Sequence, residues 1–395
     1  MNIELFLEQE IEKIKNQDRL RVLKDVSSPH EKRIVINGKD VLNFCSNSYL
    51  DMSNNIQLKE YAQQSIKKWG IGSGSARLIG GNLSPLGQLE EKIAKFKKRE
   101  SALVFSTGYH ANVGIISALI GKEDEIFSDE FNHASIIDGC RLSKAKTKIY
   151  EHKNMENLEE LLKNSSANKK LIVTDSVFSM DGDIAPLSEI VELSEKYGSI
   201  IMIDEAHATG VFGPNGEGLA VELGLENKID IQMGTLGKAI GVFGAYVTGS
   251  NNLIKYLVNR SRSFIFTTGV PAVIADTARK SIEIIENSPE LIKNLWKNID
   301  YFNIQANYHF KGNNKLLSPI VPVIVGTEKD TMDITEFLLS KGIFLQGIRP
   351  PTVQEGTSRL RISLMSSHTQ EEISFLIETL KEAEEKFKLK LNIGI

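Results

Sequence analysis

The chain has 395 residues, with 47 basic and 51 acidic side chains, a formal net charge of -4 and 41% hydrophobic residues. This composition is typical of a globular protein of two or three domains, and the absence of a long basic block excludes a protein whose main function is nucleic-acid binding. The N-terminus is acidic where a signal peptide needs a basic start, and no stretch reaches about 18 apolar residues. We therefore expect a cytoplasmic protein without membrane contact.

Apolar periodicity predicts an N-terminal helical arm over 1–45, a large domain over 46–285 and a smaller α+β domain over 286–395. Between about 45 and 285, short apolar runs alternate with amphipathic segments, which is typical of an α/β fold with a mostly parallel central sheet flanked by helices. The predicted elements, in chain order, are a helix over 1–25, a strand over 101–107, a helix from Gly108 to about 120, strands over 125–129, 146–152 and 169–176, a helix from Pro186 to Gly198, a strand over 199–207, a strand over 229–234, a helix beyond 285, a strand over 318–326, a helix over 331–341, strands over 342–348 and 358–365, and a helix from 369.

Two features that could suggest other functions do not have the required pattern. The glycine-rich stretch at 70–81 follows a helical segment rather than a strand, and its glycines are not spaced as in a dinucleotide-binding loop, so a dehydrogenase is not favoured. Cys45 and Cys140 fall in no metal-ligand spacing, so we expect reduced thiols and no metal site.

Polar residues follow several of the predicted strands. Ser179, Asp204, His207, Thr235 and Lys238 all lie at or shortly after the end of an apolar run. The carboxyl ends of parallel strands meet at one edge of a sheet, where such folds bind ligands, so these five residues are expected to share a pocket. Each signal alone is weak, because the aspartate could be a helix N-cap, the histidine a polar loop residue and the lysine a solvated surface residue.

Five motifs together resemble the α-oxoamine synthases, which are fold-type I enzymes that use pyridoxal 5'-phosphate (PLP). The motifs are SNSYL at 46–50, SDEFNHASIIDG at 128–139, DEAHATG at 204–210, TLGKAIG at 235–241 and IRPPTVQEGTSRLRIS at 348–363. The resemblance extends in order from about residue 20 to 380. One departure is Asp51, which stands where a glycine usually follows the leucine of the first motif.

The resemblance implies a role for each residue of the predicted pocket. Lys238 is expected to form the Schiff base with PLP and then to act as the base, while Asp204 keeps the pyridine nitrogen protonated so that the ring can accept electrons. By similarity, His133 stacks on the ring and contacts substrate, and Ser179 and His207 bind around the phenolic oxygen.

The same resemblance implies a phosphate site and a homodimer. Gly108 and Tyr109 open a helix directly after a strand, so their N–H groups can bind the cofactor phosphate, with the Thr235 hydroxyl added. Without the family, Gly108 could simply be a strand-to-helix turn. Thr268 is expected to reach the phosphate from the second subunit, because the active sites of the family lie at a dimer interface.

Substrate contacts are implied in the small domain and the arm. Arg359 and Arg361 alternate on one face of a predicted strand, and by similarity Arg361 binds the amino-acid carboxylate through its planar guanidinium. The stretch GIRPPT at 347–352 resembles the branch that joins alanine to a pimeloyl thioester, in which Arg21, Arg349 and Thr352 contact substrate.

The family condenses an amino acid with an acyl thioester, of coenzyme A or acyl carrier protein, and releases CO2. The competing branches are glycine C-acetyltransferase, 5-aminolevulinate synthase and serine palmitoyltransferase, and FNHASIIDG is shared with the acetyltransferase branch. A non-catalytic partner subunit on the same fold is a further alternative, but it should lack the lysine, and Lys238, Asp204 and His207 are all present.

Overall fold

The computed structural model describes residues 2–310 and 315–394. The chain forms two compact units, a larger one of residues 48–179 and 184–293 and a second one from the described parts of 1–47, 180–183 and 294–395. The three-part domain division predicted from the sequence stays a prediction. Among the described residues, no helix combines the length and apolar character needed to cross a bilayer.

The strands are distributed over three sheets. They are β1 (Arg33–Ile36), β2 (Lys39–Asn43), β3 (Ser101–Phe105), β4 (Glu125–Asp129), β5 (Lys146–Tyr150), β6 (Lys170–Asp175), β7 (Ile200–Asp204), β8 (Ile231–Thr235), β9 (Ala245–Gly249), β10 (Ile320–Gly326), β11 (Ile343–Phe344), β12 (Gly347–Ile348), β13 (Ser358–Ser363) and β14 (Asn392–Ile393).

The α-helices alternate with these strands through most of the chain. They are α1 (Ile3–Asn16), α2 (Ile56–Trp69), α3 (Ser84–Phe96), α4 (Gly108–Leu119), α5 (Ala134–Ser143), α6 (Met155–Lys163), α7 (Leu187–Tyr197), α8 (Leu219–Glu222), α9 (Asn251–Arg260), α10 (Arg262–Ile265), α11 (Ala272–Glu286), α12 (Pro289–His309), α13 (Glu328–Ser340) and α14 (Gln370–Phe387).

The large unit is built on a seven-stranded sheet with the order β3-β9-β8-β7-β6-β4-β5. The strands β5, β4, β6, β7 and β8 pair in parallel, whereas β9 is antiparallel to both of its neighbours. The central strands β6 and β7 are almost entirely buried, as expected for strands with helices on both faces. The predicted α/β fold with a mostly parallel sheet is therefore confirmed.

Two helices near the sheet begin or end at residues that are typical of helix boundaries. Thr107 caps α4, because its side chain accepts a hydrogen bond from the His110 N–H at 3.2 Å. At the other end of a helix, Gly198 follows α7 with a φ of 62°, a left-handed conformation that glycine adopts without steric cost. Both boundaries lie where the sequence predicts them.

The second unit contains a four-stranded sheet, β12-β13-β10-β14, and a three-stranded sheet, β1-β2-β11, together with α1, α12, α13 and α14. The predicted α+β character of the C-terminal segment is confirmed. The N-terminal segment is less helical than predicted, because α1 stops at Asn16 and β1 and β2 follow. Asp18 has a φ of 54°, and the Asp18 and Arg19 N–H groups donate to the Lys15 and Ile14 carbonyls, so the chain ends the helix in a left-handed turn.

Candidate functional site

The carboxyl ends of β6, β7 and β8 lie side by side at one edge of the large sheet. Asp175 and Asp204 are the last residues of β6 and β7 and are directly paired in the parallel register. Thr235 is the last residue of the adjacent strand β8. The sheet topology therefore brings the polar residues that follow these strands to one edge, as the sequence indicates.

A chain of hydrogen bonds connects Lys238, His207 and Tyr49. The Lys238 Nζ lies 2.7 Å from His207 Nε2, and the other ring nitrogen, Nδ1, lies 2.7 Å from the Tyr49 hydroxyl. His207 is 5% exposed and Tyr49 is fully buried. A histidine bound on both nitrogens can pass a proton between its partners by changing tautomer, so the Lys238 amine has a proton acceptor within direct reach.

Asp204 is held in a fixed orientation by two donors. Its Oδ1 accepts the Ala206 N–H at 2.8 Å, and its Oδ2 accepts the Asn112 amide at 2.9 Å. The same Asn112 amide group donates to the Ser135 hydroxyl at 2.9 Å, and that hydroxyl lies 2.7 Å from His133 Nδ1. One hydrogen-bond network, buried at Asn112, Ser135 and Asp204, thus orients two of the residues to which the resemblance assigns a role.

His133 caps α5 and is held through its backbone as well. Its N–H donates to the Asp175 carboxylate at 2.8 Å. Burial lowers the pKa of His133; the Asp204 carboxylate opposes this shift and Lys238 adds to it. The imidazole is consequently neutral at neutral pH, which suits a ring that stacks on a flat ligand.

Asp175 is a second buried carboxylate beside Asp204. Burial raises its pKa well above the usual range, and the neighbouring Asp204 raises it further because two adjacent negative charges repel each other. The Asp175 carboxyl therefore tends to keep its proton in the folded protein.

Thr235 and the first turn of α4 form a small polar cradle. The Thr235 Oγ1 is buried and has no hydrogen-bond partner among the described residues, and its methyl group lies 3.3 Å from the position a Cβ on Gly108 would occupy. The N–H groups of Gly108 and Tyr109 lie in the first turn of α4, where a helix has no internal acceptors for them. These donors fit a bound anion such as a phosphate.

Two glycines near Lys238 lie against neighbouring atoms that leave no space for a side chain. A Cβ on Gly234 would lie 2.4 Å from the Tyr246 hydroxyl, and one on Gly241 would lie 2.6 Å from the Ser53 nitrogen. Both residues are thus required for close packing within the unit.

Two further predicted residues occupy loops of the large unit. Ser179 lies in the turn after β6, next to the isolated bridge between Val177 and Ile184. Thr268 is exposed in the loop between α10 and α11. Their predicted roles at the cofactor stay predictions.

The second unit orients two arginines on β13. Arg359 forms an ion pair with Asp181, so its charge is compensated within the unit. Arg361 donates from Nη1 to the Asn47 side-chain oxygen at 3.1 Å and to the Ser363 hydroxyl at 2.8 Å. Both arginines are less than 10% exposed, so neither is the surface charge that an isolated arginine usually represents.

The other predicted substrate residues of that unit lie together. The Arg21 Nη2 is 3.4 Å from the Thr352 hydroxyl. Arg349 donates to the backbone carbonyls of Asp18 and Leu20, which lie shortly before Arg21 in the sequence. Arg349 therefore holds the backbone that leads into Arg21.

Three residues of the site were not assigned by the sequence analysis, namely Tyr49, Asn112 and Asp175. Tyr49 lies inside the quoted motif SNSYL, but its partner is 158 residues away. Asn112 interrupts an otherwise apolar helical segment, and Asp175 ends a buried strand as Asp204 does. For Asn112 and Asp175, the sequence does contain a signal, which is a polar residue within an apolar run.

Comparisons with known proteins agree on one family. Residues 39–380 match the family model for class I and II aminotransferases. Among curated proteins, the 8-amino-7-oxononanoate synthase of Lysinibacillus sphaericus is 47% identical over 95% of this chain and 96% of its own length, and that of Thermoanaerobacter pseudethanolicus is 43% identical over 98% of both.

Solved structures give the same result. The serine palmitoyltransferase of Sphingomonas wittichii has a TM-score of 0.91 at 30% identity, with 98% of this chain and 97% of that chain covered. A variant of the S. paucimobilis serine palmitoyltransferase with bound PLP-myriocin aldimine has a TM-score of 0.92 at 30% identity, with 97% of both chains covered. The 8-amino-7-oxononanoate synthase of Francisella tularensis has a TM-score of 0.76 at 30% identity, with 88% of this chain and 98% of that chain covered.

Proposed function

Because the chain belongs to the class I and II aminotransferase family, and within it to the α-oxoamine synthases, we propose that it joins L-alanine to a pimeloyl thioester with loss of CO2 and so makes 8-amino-7-oxononanoate for biotin synthesis. The observation that carries this choice is that curated synthases of this one reaction match nearly the whole chain at 40–47% identity. Glycine C-acetyltransferase, the alternative left open by the sequence motifs, is not favoured by these relatives.

PLP is the cofactor, and the residues of the large unit fit it. The unpartnered Thr235 hydroxyl beside the N-terminus of α4 suits its phosphate, and the buried Asp204 carboxylate suits a protonated ring nitrogen. When bound, PLP supplies an aldehyde for the amino group of alanine and a ring that accepts the electrons left when a proton or CO2 departs.

Lys238 would hold the cofactor through Nζ, and the same atom would take the α-proton of alanine. The contact of Nζ with His207 Nε2 at 2.7 Å supports this role, because the imidazole can take up or return that proton. Tyr49 contacts Nδ1 and can donate or accept there, so the ring has a partner in either tautomer.

Asp204 supplies the negative charge that keeps the ring nitrogen protonated. Its two donors, Asn112 and the Ala206 N–H, support this role because they hold both carboxylate oxygens in place. A protonated Asp175 beside it would avoid a second buried charge. His133 covers one face of the ring, with its imidazole anchored by Ser135.

The phosphate is held by the N–H groups of Gly108 and Tyr109 and by Thr235. Ser179 and His207 bind the phenolic oxygen. Arg361 binds the alanine carboxylate, for which a guanidinium oriented by Asn47 and Ser363 is well suited.

The pimeloyl chain is contacted by Arg21 and Thr352. Support comes from Arg349, which binds the backbone carbonyls of Asp18 and Leu20 and so orders the segment that immediately precedes Arg21. His133 contacts substrate as well as cofactor.

Three parts of the proposal concern the setting of the enzyme. We propose a homodimer in which Thr268 reaches the phosphate of the second subunit, a cytoplasmic location, and coenzyme A or acyl carrier protein as the carrier of the pimeloyl group. Light scattering of the purified protein measures the first of these.

A substrate panel tests the reaction. Purified protein is incubated with alanine, glycine or serine against pimeloyl, acetyl and palmitoyl thioesters of coenzyme A and of acyl carrier protein, and products are identified by mass spectrometry. We expect 8-amino-7-oxononanoate from alanine and a pimeloyl thioester, and no product from the Lys238→Ala control. A preference for glycine with an acetyl thioester would overturn the proposed branch.

A further inference from the structure

A fully buried ion pair lies next to the proposed cofactor site and has no part in the chemistry described above. Lys97, at the carboxyl end of α3, donates from Nζ to the Glu205 carboxylate, and both side chains are 0% exposed. Glu205 directly follows Asp204 and lies two residues before His207. Burying both charges costs several kcal/mol per ion, which their attraction offsets only when the geometry is good.

The pair is the centre of a larger polar network. Lys97 also donates to the Glu217 carbonyl, and the second Glu205 oxygen accepts the Ala220 N–H at 2.9 Å. The Tyr246 hydroxyl faces Lys97 and lies 2.7 Å from the Thr209 hydroxyl. The network therefore ties α3, α8 and β9 to the segment 204–210.

Close packing leaves this network little freedom to move. A Cβ on Gly218, which has a φ of 119°, would lie 2.6 Å from Lys97 Nζ and 2.7 Å from Glu205 Oε2, and a Cβ on Gly234 would overlap the Tyr246 hydroxyl. Burial opposes the charge of Lys97, but the nearby Glu205 and Tyr246 outweigh it and raise the pKa of the lysine. The lysine is thus charged and fixed.

The backbone of the segment is also held by β8. The Glu205 N–H donates to the Met233 carbonyl at 2.7 Å. Glu205 is thus bound through its backbone to β8, the strand that ends at Thr235, and through its side chain to Lys97. Asp204 and His207 extend from the same short segment, so their positions depend on both attachments.

We propose that Lys97, Glu205 and Tyr246 are positioning residues. They hold the segment 204–210 so that the side chains of Asp204 and His207 are correctly placed to contact the cofactor. This inference rests on the proposed function, because it assigns these two residues to PLP. The ion pair acts through the segment and touches neither cofactor nor substrate.

The test compares cofactor binding with stability in charge-removing variants. The variants are Lys97→Met, Glu205→Gln, the double variant and the milder Tyr246→Phe, each prepared with and without PLP. The measurements are the PLP dissociation constant from visible absorbance, the midpoint pH of the visible absorbance change, and the midpoint of thermal unfolding. A matched control removes the Lys148 and Glu125 pair, which is 13% and 12% exposed and lies on β5 and β4.

We expect the single variants to be the least stable, because each leaves one unpaired buried charge, and the double variant to recover stability. The PLP dissociation constant should rise about 10- to 100-fold in the single and double variants, by analogy with the loss found when residues that orient metal ligands are removed, and the midpoint pH should shift. Tyr246→Phe should change the PLP dissociation constant and the midpoint pH in the same directions, but by smaller amounts. The control pair should alter thermal stability alone.

A merely structural ion pair would give a different result. If the double variant and Tyr246→Phe bind PLP with the original dissociation constant and midpoint pH, the positioning role is overturned. The outcome is separable from the proposed reaction. If the unmodified protein fails to convert alanine and a pimeloyl thioester while these variants still weaken PLP binding, the reaction is wrong and the positioning role stands.

Discussion

Replacing Thr235 by valine should affect the cofactor-free and PLP-bound protein in opposite directions. The substitution exchanges a hydroxyl for a methyl group of similar size, and the Thr235 Oγ1 is buried without a partner among the described residues. A buried polar group without a hydrogen bond costs about 1 to 3 kcal/mol. The cofactor-free variant should therefore be more stable by about 1 kcal/mol, which for a chain of this length is about 1 °C in Tm.

The bound state should show the opposite effect. A hydrogen bond to a charged group such as a phosphate contributes about 1.5 to 3 kcal/mol, which corresponds to about 10- to 150-fold in the PLP dissociation constant. Titration of the cofactor-free protein with PLP, followed by absorbance, measures this loss. Thermal unfolding with and without PLP measures the two stabilities on the same samples.

Thr248→Val is the matched control. Thr248 lies on β9, is fully buried, and its hydroxyl donates to the Gln232 carbonyl at 3.4 Å, so its loss should lower stability slightly without changing PLP affinity. An unchanged PLP dissociation constant in Thr235→Val would refute the phosphate assignment. A less stable cofactor-free variant would refute the claim that its hydroxyl is unsatisfied.

Two further predictions concern pH. Because the pKa of Asp175 is raised, the folded cofactor-free protein keeps a proton that the unfolded chain releases above about pH 4, so its stability falls as pH rises. Asp175→Asn should reduce this fall, measured as the difference in the free energy of unfolding in urea between pH 5 and pH 8. An equal difference in the variant and the unmodified protein would contradict the assignment. Burial lowers the pKa of His368 from its ordinary value of 6.5 to about 4. Between pH 6.5 and pH 4 only the unfolded chain therefore gains a proton at this residue, which should lower the free energy of unfolding by about 3 kcal/mol. His368→Asn, which keeps an acceptor for the Met365 N–H, should show correspondingly less loss in the same denaturant series at pH 7 and pH 4.

Much of the fold could be predicted from residues that are close together in the sequence. Apolar patterns identified β3, α4, β6, β7 and the C-terminal elements, because burial of one face imposes a period near two or 3.6 and burial of both faces gives a continuous apolar run. The fold class, cofactor and family chemistry followed from motifs whose residues lie within a few positions of one another. The N-terminal helix was overextended because its end is a left-handed turn at Asp18, closed by hydrogen bonds from the Asp18 and Arg19 N–H groups to the Lys15 and Ile14 carbonyls, and no glycine marks that turn in the sequence.

The same distinction between local sequence and distant contacts applies to the residues of the site. The sequence alone determined that Lys238, Asp204, His207 and Thr235 are polar residues at the ends of buried strands and that they carry a family pattern. Tertiary structure decided their partners: Asn112 on Asp204, Tyr49 on His207, and Lys97 on Glu205, at separations of 92, 158 and 108 residues. Local periodicity encodes which face of an element is buried, whereas strand order and register determine which distant polar groups meet, so only the folded sheet could reveal these contacts.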